Sequence, residues 1–119
     1  MRQNNIVVDK SKAFAVRIVK MCRYLQEEKH EFVLSKQVLR SGTSIGANIK
    51  EAIRGQSTAD FVAKMNIALK EASETEYWLE LLAETDYLSQ SMGESMLSDC
   101  IELIKLLTAI VKTARKGDT

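Results

Sequence analysis

The carboxylates of the third predicted helix are the residues in this sequence that could hold a metal ion. Glu71, Glu74, Glu76 and Glu80 follow one another closely there. Di-iron sites in four-helix proteins combine such glutamates with Glu-x-x-His pairs. The only histidine, His30, lies in a predicted connection, and no Glu-x-x-His sequence occurs. The sequence therefore predicts no metal site and no cofactor.

Nucleophilic catalysis would need a serine or cysteine beside a positioned base. His30 is eight residues from Cys22 and is predicted to lie on the surface. Cys22 and Cys100 fall in apolar stripes and lack the CxxC spacing of redox or zinc sites. We expect both to be reduced core residues of a cytoplasmic protein. Because no set of residues supports catalysis, we expect neither an enzyme nor a small-molecule substrate.

The segment from Arg40 to Asn48, RSGTSIGAN, is rich in glycine and hydroxyl groups. As a loop it would suggest a phosphate cradle, but it lacks the GK[ST] ending of a P-loop and no strand precedes it. We therefore favour a helix, in which each glycine costs about 1 kcal/mol and is tolerated where it permits close helix approach. A polar flank beside the glycines is interpreted as a contact between helices or between subunits. That flank, with one residue of the third helix, consists of Gln37, Ser44, Asn48, Glu51 and Glu71.

The formal net charge of +1 is distributed unevenly along the chain. Residues 1–57 carry 11 Lys and Arg against 5 Asp and Glu, a net +6, whereas residues 58–119 have a net charge of −5. Such asymmetry indicates either a basic binding face or one half that pairs with the other. If there is a binding face, cations on the outer faces of the first two helices contact phosphates. Otherwise these cations are ordinary solvent-exposed surface residues. These cations are Arg17, Lys20, Arg23, Lys36, Arg40, Lys50 and Arg54.

Two aromatic residues, Tyr77 and Trp78, could stack on nucleic-acid bases. For Trp78 we favour packing on the flank of a helix.

The absence of proline and the presence of only 5 glycines in 119 residues favour long helices. Apolar residues at helical spacing predict four of them, at about 11–28, 35–54, 58–85 and 90–115. Since their connections are short, we expect an all-α, antiparallel up-down four-helix bundle that forms one domain over residues 1–119. No membrane span is predicted, because Lys105 interrupts the most apolar stretch.

The helix ends are predicted from capping residues. Ser35 and Ser57 are expected to be N-caps of the second and third helices. Ser91 with Glu94 suggests a capping box for the fourth. Gly55 is expected to end the second helix in the left-handed conformation.

The fourth helix has an apolar arc of about 180°, wider than the stripe that a two-layer helix needs. An exposed second flank would be an unusually large apolar patch for a soluble monomer. We therefore expect self-association through this flank, the alternative being that it packs under Ile6, Val7 and Val8 of the same chain. The flank consists of Met96, Leu103, Leu106 and Ile110.

Several stretches resemble a known family over about residues 6 to 112. The clearest are RSGTSIGANIKE, from Arg40 to Glu51, and KEASETEYWLELL, from Lys70 to Leu82. KSKAFA, which begins at Lys10, also fits. The sequence resembles the bacterial four-helix-bundle proteins encoded in intervening sequences of 23S ribosomal RNA genes, which are often catalogued as a ribosomal protein. The accessory proteins of diversity-generating retroelements are similar and bind nucleic acid.

This resemblance implies a bundle that assembles as a ring-like homopentamer without known enzymatic activity. The nucleic-acid-binding relatives are markedly basic, whereas this chain has a charge of +1 and an acidic third helix. The leading hypothesis is nevertheless an oligomeric module that binds RNA or DNA through phosphates. It requires that the positive and negative charges be separated in space. The alternative is a homo-oligomeric scaffold that docks a partner protein.

Overall fold

The computed structural model describes residues 2–117, and side chains from residue 5 onward. Residues 1, 118 and 119 of the predicted domain lie outside this range. The fold is all-α: four helices and no strand occupy the described residues. Their bounds are α1 Arg2–Glu28, α2 Leu34–Ile53, α3 Thr58–Glu84 and α4 Gln90–Gly117. Helix α1 therefore begins well before its predicted start near residue 11.

The helices pack side by side in a molecule of 49 × 21 × 19 Å. Each helix contacts the next one along the chain, and α1 also contacts α4, whereas the pairs α1–α3 and α2–α4 make no close contact in the described range. The four helices thus stand at the corners of a square around a shared core. None of the helices between residues 2 and 117 has the length and apolarity that crossing a membrane requires.

The start of α1 lies beside the end of α2, because Val8 and Ile53 line one groove. The start of α3 lies beside the end of α4, where Thr58 and Thr113 line another. At the opposite end of the molecule, Cys22 of α1 contacts Ser35 of α2. One end of the molecule is therefore built from four segments that are far apart in the sequence.

The apolar stripes predicted for the first three helices are confirmed as core. Every residue of the α2 stripe, whose members alternate between spacings of four and three, is buried, and so are six of the seven residues that keep this heptad spacing in α3. The α2 stripe consists of Val38, Gly42, Ile45, Ile49 and Ala52, and the α3 heptad consists of Phe61, Met65, Ala68, Ala72, Thr75, Leu79 and Leu82. The seventh, Phe61, is half-buried and packs against the core. The α1 stripe from Phe14 to Leu25 is also buried.

The expected association surface on α4 is wrong for three of its four residues. Met96, Leu103 and Ile110 are 2%, 1% and 4% exposed within a single chain. Leu106 is half-buried against the same core. The wide arc is explained by the square arrangement, in which α4 packs against both α3 and α1, and the longer α1 adds Val7 to the core. The alternative of packing within the chain therefore applies.

Three of the four predicted helix ends differ from the structure. Ser57 does cap α3, since its side chain accepts a hydrogen bond from the Asp60 amide. Helix α2 begins at Leu34, however, and Ser35 lies inside its first turn. The side chain that accepts from the amides of Val33, Leu34 and Ser35 belongs to Glu31, at 3.1, 3.0 and 2.7 Å. A carboxylate there satisfies the free amides of a helix start.

At the α4 start, the Ser89 hydroxyl accepts a hydrogen bond from the Met92 amide at 3.2 Å, so the predicted capping box at Ser91 is two residues too late. Gly55 has no positive φ, and α2 ends through the amides of Arg54 and Gly55 bonded to carbonyls of its last turn. The left-handed residues are instead His30, with φ 53°, and Asp86, with φ 66°, in the other two connections.

The helical interpretation of the glycine-rich segment is confirmed, since residues 40–48 lie within α2. A Cβ atom on Gly42 would lie 2.8 to 3.0 Å from three atoms of Ile18 on α1. Gly42 therefore permits the close approach of α1 and α2. Gly46 does not have this role, because a Cβ there would meet Ser11 at an ordinary 3.5 Å.

Candidate nucleic-acid interface

Two of the seven predicted phosphate-binding cations are ion-paired within the chain. The guanidinium of Arg17 on α1 pairs with Asp99 on α4 and donates to the Ser95 hydroxyl at 2.9 Å. This arginine therefore links α1 to α4. Its positive charge is already compensated.

Arg40 is paired in the same way across the α2–α3 contact. It reaches Glu71 at 3.1 Å and also pairs with Glu74. The indole N–H of Trp78 donates to the same Glu74 carboxylate at 3.0 Å. The Trp78 hydrogen bond and the Arg40 charge lower the pKa of Glu74. Trp78 is thus held on the helix flank, and the ring of Tyr77 lies edge-on to it with 5.1 Å between the ring centroids.

The other five predicted cations make no ion pair within the described residues. Their side chains are exposed, so their charges are available to a partner. The same holds for Lys12 on α1, which the sequence analysis did not include. These six residues are Lys12, Lys20, Arg23, Lys36, Lys50 and Arg54.

A groove of about 480 Å³ lies between the start of α1 and the end of α2. Its charged lining consists of Lys12, Lys50 and Arg54 against one carboxylate, Asp9. The rest of the lining is mostly small, with Gly46 and Ala47 among its members. We call this feature the α1–α2 groove. It brings together two of the predicted cations and one that was missed.

The charges of the molecule divide along its long axis when each helix is cut near its middle. Residues 5–14, 45–70 and 104–117 form what we call the basic half, with ten Lys and Arg against three Asp and Glu, a net +7. Residues 15–44 and 71–103 form the acidic half, with six against twelve, a net −6. The α1–α2 groove belongs to the basic half. The predicted division between the first and second halves of the sequence corresponds to the α1–α2 side and the α3–α4 side of the square, with a smaller charge difference of +6 against −5.

The five predicted cations outside the basic half are therefore surrounded by a net negative charge, which disfavours phosphate binding. Lys20, Arg23 and Lys36 lie in the acidic half, as do the paired Arg17 and Arg40. Lys20 and Arg23 line a depression on α1 together with Lys12 and with Val16 and Val19, which are 44% and 40% exposed.

The predicted polar flank on α2 does not form one network. The Ser44 hydroxyl and the Asn48 amide donate to carbonyls of their own helix, at 2.6 and 2.9 Å. Glu51 pairs with Lys64 of α3 at 3.0 Å. Gln37 is exposed and makes no side-chain hydrogen bond to the described residues. A pair that the sequence analysis missed, Ser41 and Thr75, provides the buried polar contact between α2 and α3.

Both cysteines are free and buried, as predicted. Burial, and less strongly the charge of Glu31, raises the pKa of Cys22 to about 12. Burial likewise raises the pKa of Cys100 to about 12, with smaller effects from acidic residues nearby. In the part of the chain that the structure describes, no three His, Cys, Asp or Glu side chains are grouped so that they could hold a metal ion.

Comparison with known proteins identifies a family and solved structures that this chain resembles. The model of the family described as "23S rRNA-intervening sequence protein" matches residues 3–109. A crystal structure of a protein of unknown function from the S23 ribosomal protein family of Bacteroides thetaiotaomicron VPI-5482 is 59% identical to this chain. The match covers 92% of this chain and 98% of that chain, with a TM-score of 0.91. No curated protein matches the chain.

Proposed function

The chain belongs to the 23S rRNA-intervening sequence protein family, and we propose that it is a non-enzymatic, oligomeric protein of the cytoplasm that binds RNA or DNA through phosphates. The observation that carries the proposal is a set of exposed cations on and next to α1 and α2 that have no ion-pair partner within the described residues, three of which line the α1–α2 groove. Unpaired Lys and Arg side chains release counterions from a nucleic acid when they contact its phosphates.

The proposed binding is positional rather than sequence-specific. Lys and Arg contacts to phosphate fix a protein on the backbone but do not by themselves distinguish bases. Tyr77 and Trp78 lie on α3, and Trp78 is engaged with Glu74. We therefore propose no base stacking by this pair and no small-molecule, metal or membrane partner.

The proposed assembly is a homo-oligomer of antiparallel up-down four-helix bundles, a pentameric ring as the family resemblance implies. Short connections between helices in a molecule 49 Å long support the up-down arrangement. Exposed apolar residues on outer helix faces offer contact surface for a second copy, in place of the α4 residues first expected. They are Val16 and Val19 on α1 and Ile67 and Tyr77 on α3.

Light scattering with and without a structured RNA and a DNA duplex, at about 50 and 200 mM salt, tests this proposal. We expect an oligomer that gains mass with nucleic acid at the lower salt concentration and releases it at the higher one. A monomer would contradict the assembly, and an oligomer that ignores nucleic acid at both salt concentrations would contradict the binding.

The second candidate is a homo-oligomeric scaffold that docks a partner protein without binding nucleic acid. The net charge of −6 on the acidic half, together with the exposed Phe32 and Val33 at its end, favours it. Protein binding through apolar contacts would depend only weakly on salt, whereas phosphate binding weakens steeply. Capture of a protein at both salt concentrations, without any nucleic-acid binding, would support this candidate.

A further inference from the structure

We propose that nucleic-acid phosphates bind at the basic half of the molecule, in the α1–α2 groove, through Lys12, Lys50 and Arg54. This inference rests on the proposed function and gives it a location. It differs from the surface predicted from the sequence, which extended over the full outer faces of α1 and α2. The five predicted cations that lie in the acidic half, Arg17, Lys20, Arg23, Lys36 and Arg40, are excluded from it.

Screening determines which charges a bound phosphate experiences. The molecule is 49 Å long, so each half extends over about 25 Å. At physiological ionic strength, interactions between exposed charges fade over about 8 Å. A phosphate at one half is therefore affected mainly by that half, and the overall charge of +1 does not describe its surroundings. The local net charge is +7 at the basic half and −6 at the acidic half.

Within the basic half, the α1–α2 groove combines unpaired cations with space. Lys12 approaches it from α1, Lys50 from α2, and Arg54 from the position that directly follows the end of α2. None of the three forms an ion pair within the described residues. Gly46 keeps the groove open at a position where close helix packing does not require glycine, since a Cβ would make only ordinary 3.5 Å contacts.

Further cations of the basic half come from the end of α4. Lys112, Arg115 and Lys116 line a second depression between α3 and α4, on another side of the molecule, and Lys116 already has an interaction partner. Lys10 and Lys64 are committed to Glu102 and Glu51 at 3.2 and 3.0 Å. The α1–α2 groove is therefore the place where three unpaired cations of the basic half converge.

The chemistry of the groove points to the phosphodiester backbone rather than the bases. No aromatic side chain lines it, so bases have no stacking surface there. Its charged donors are two lysines and one arginine, which form strong hydrogen bonds with phosphate oxygens. We therefore expect duplexes of different sequence to bind with similar affinity.

Two matched triple variants test the location. The first, K12Q/K50Q/R54Q, removes the groove cations. The control, K20Q/R23Q/K36Q, removes two lysines and one arginine that are equally unpaired but lie in the acidic half. Fluorescence anisotropy with a labelled DNA duplex of about 20 base pairs, and with the RNA duplex of the same sequence, gives the affinity between about 50 and 200 mM salt. Circular dichroism and light scattering without nucleic acid show whether each variant keeps the helical content and mass of the wild type.

We expect the groove variant to lose about tenfold or more in affinity at 50 mM salt, and its salt slope to fall by about 3, since each phosphate contact contributes about 0.9. The control should keep its affinity within about threefold and its slope within about 1. Equal or greater loss in the control would overturn the location while leaving the proposed function intact. Absence of binding by the wild type at 50 mM would instead overturn the proposed function. If the groove cations hold the acidic half of a second copy, the groove variant loses mass without nucleic acid, which also overturns the location.

Discussion

The side-chain oxygens of Ser41 on α2 and Thr75 on α3 lie 2.9 Å apart in a hydrogen bond, and both residues are fully buried. The Thr75 hydroxyl also lies 2.8 Å from the carbonyl of Glu71 in its own helix. No buried side-chain nitrogen or oxygen is left without a partner among the described residues. Two hydroxyls at facing core positions are therefore hydrogen-bonded to each other, at a place where two apolar residues would be expected.

We expect this hydrogen bond to couple the stability of α2 to that of α3. S41A and T75V should each lower the free energy of unfolding by about 1 to 2 kcal/mol, because each removes a partner from a buried polar group. The double variant should be more stable than the sum of the two single losses predicts, by about 1 kcal/mol. Urea denaturation of all four proteins measures this coupling. Strict additivity would show that the two hydroxyls do not stabilise the helix contact jointly.

The two glycines of α2 should respond in opposite directions to the same substitution. G42A places a methyl group 2.8 Å from Ile18, so we expect a loss of about 1 to 3 kcal/mol from overpacking. G46A meets only ordinary contacts, and alanine is the better helix former, so we expect a gain of up to about 1 kcal/mol. Thermal unfolding of the two variants compares them directly. A G42A variant as stable as G46A would show that α1 and α2 can separate at little cost.

The sequence predicts the core of this protein well because burial imposes a local period. The α3 heptad and the α2 stripe follow from spacing within one helix, and the structure buries them. The prediction for the α4 flank is wrong because it assumes that α4 buries only one stripe, against one neighbouring layer. In the structure α4 packs against two helices and therefore buries a wider arc. Glu31 was missed because it caps α2 from the preceding connection, at a position where sequence rules expect a short hydroxyl or amide side chain.

The candidate site was harder to predict, for a related reason. A charge sum along the chain separates the α1–α2 side from the α3–α4 side, whereas in the folded molecule the charges separate more strongly between its two ends, each of which combines parts of all four helices. Arg17 and Arg40 looked available because the carboxylates that pair with them are 82 and 31 residues away in the sequence. Which cations remain unpaired is a property of the fold and not of spacing.

The Glu31 carboxylate should be the main capping group of α2. The carboxylate accepts hydrogen bonds from three backbone amides, and the backbone carbonyl of Glu31 accepts one from the Ser35 hydroxyl at 2.9 Å. We expect E31A to lower the free energy of unfolding by about 1 to 2 kcal/mol, and E31Q to lose less because it keeps one acceptor oxygen. Hydrogen exchange of the Leu34 and Ser35 amides locates the effect. Unchanged protection of these amides in E31A would contradict the capping role.

Burial of Cys100 should make stability depend on pH in alkaline solution. Its pKa is about 12 in the folded chain against an ordinary value of 9.0, so the unfolded chain loses the thiol proton first. The contribution of the neutral thiol is therefore complete below about pH 9 and decreases as the pH rises toward 12. At pH 10.5 the decrease should reach about 2 kcal/mol.

The variant C100A isolates this contribution from other groups that titrate in the same range. The difference in unfolding free energy between wild type and C100A should be constant from pH 7 to 8.5 and then shrink by about 1.4 kcal/mol per pH unit above 9. Urea denaturation across this range measures it. A difference that stays constant up to pH 10.5 would mean that the thiol ionises equally in the folded and unfolded chains.

The ion-paired arginines should contribute little to nucleic-acid binding. Arg17 and Arg40 would have to leave Asp99, Glu71 and Glu74 to reach a phosphate, and each departure would expose uncompensated carboxylates to it. We expect R17Q/R40Q to change the affinity for a DNA duplex by less than about threefold, whereas K12Q/K50Q, with the same loss of charge, should weaken it about tenfold. Anisotropy titrations at one salt concentration compare the two variants. If R17Q/R40Q weakens binding as much as K12Q/K50Q, the arginines exchange their carboxylates for phosphate, and the binding surface extends into the acidic half as the sequence first suggested.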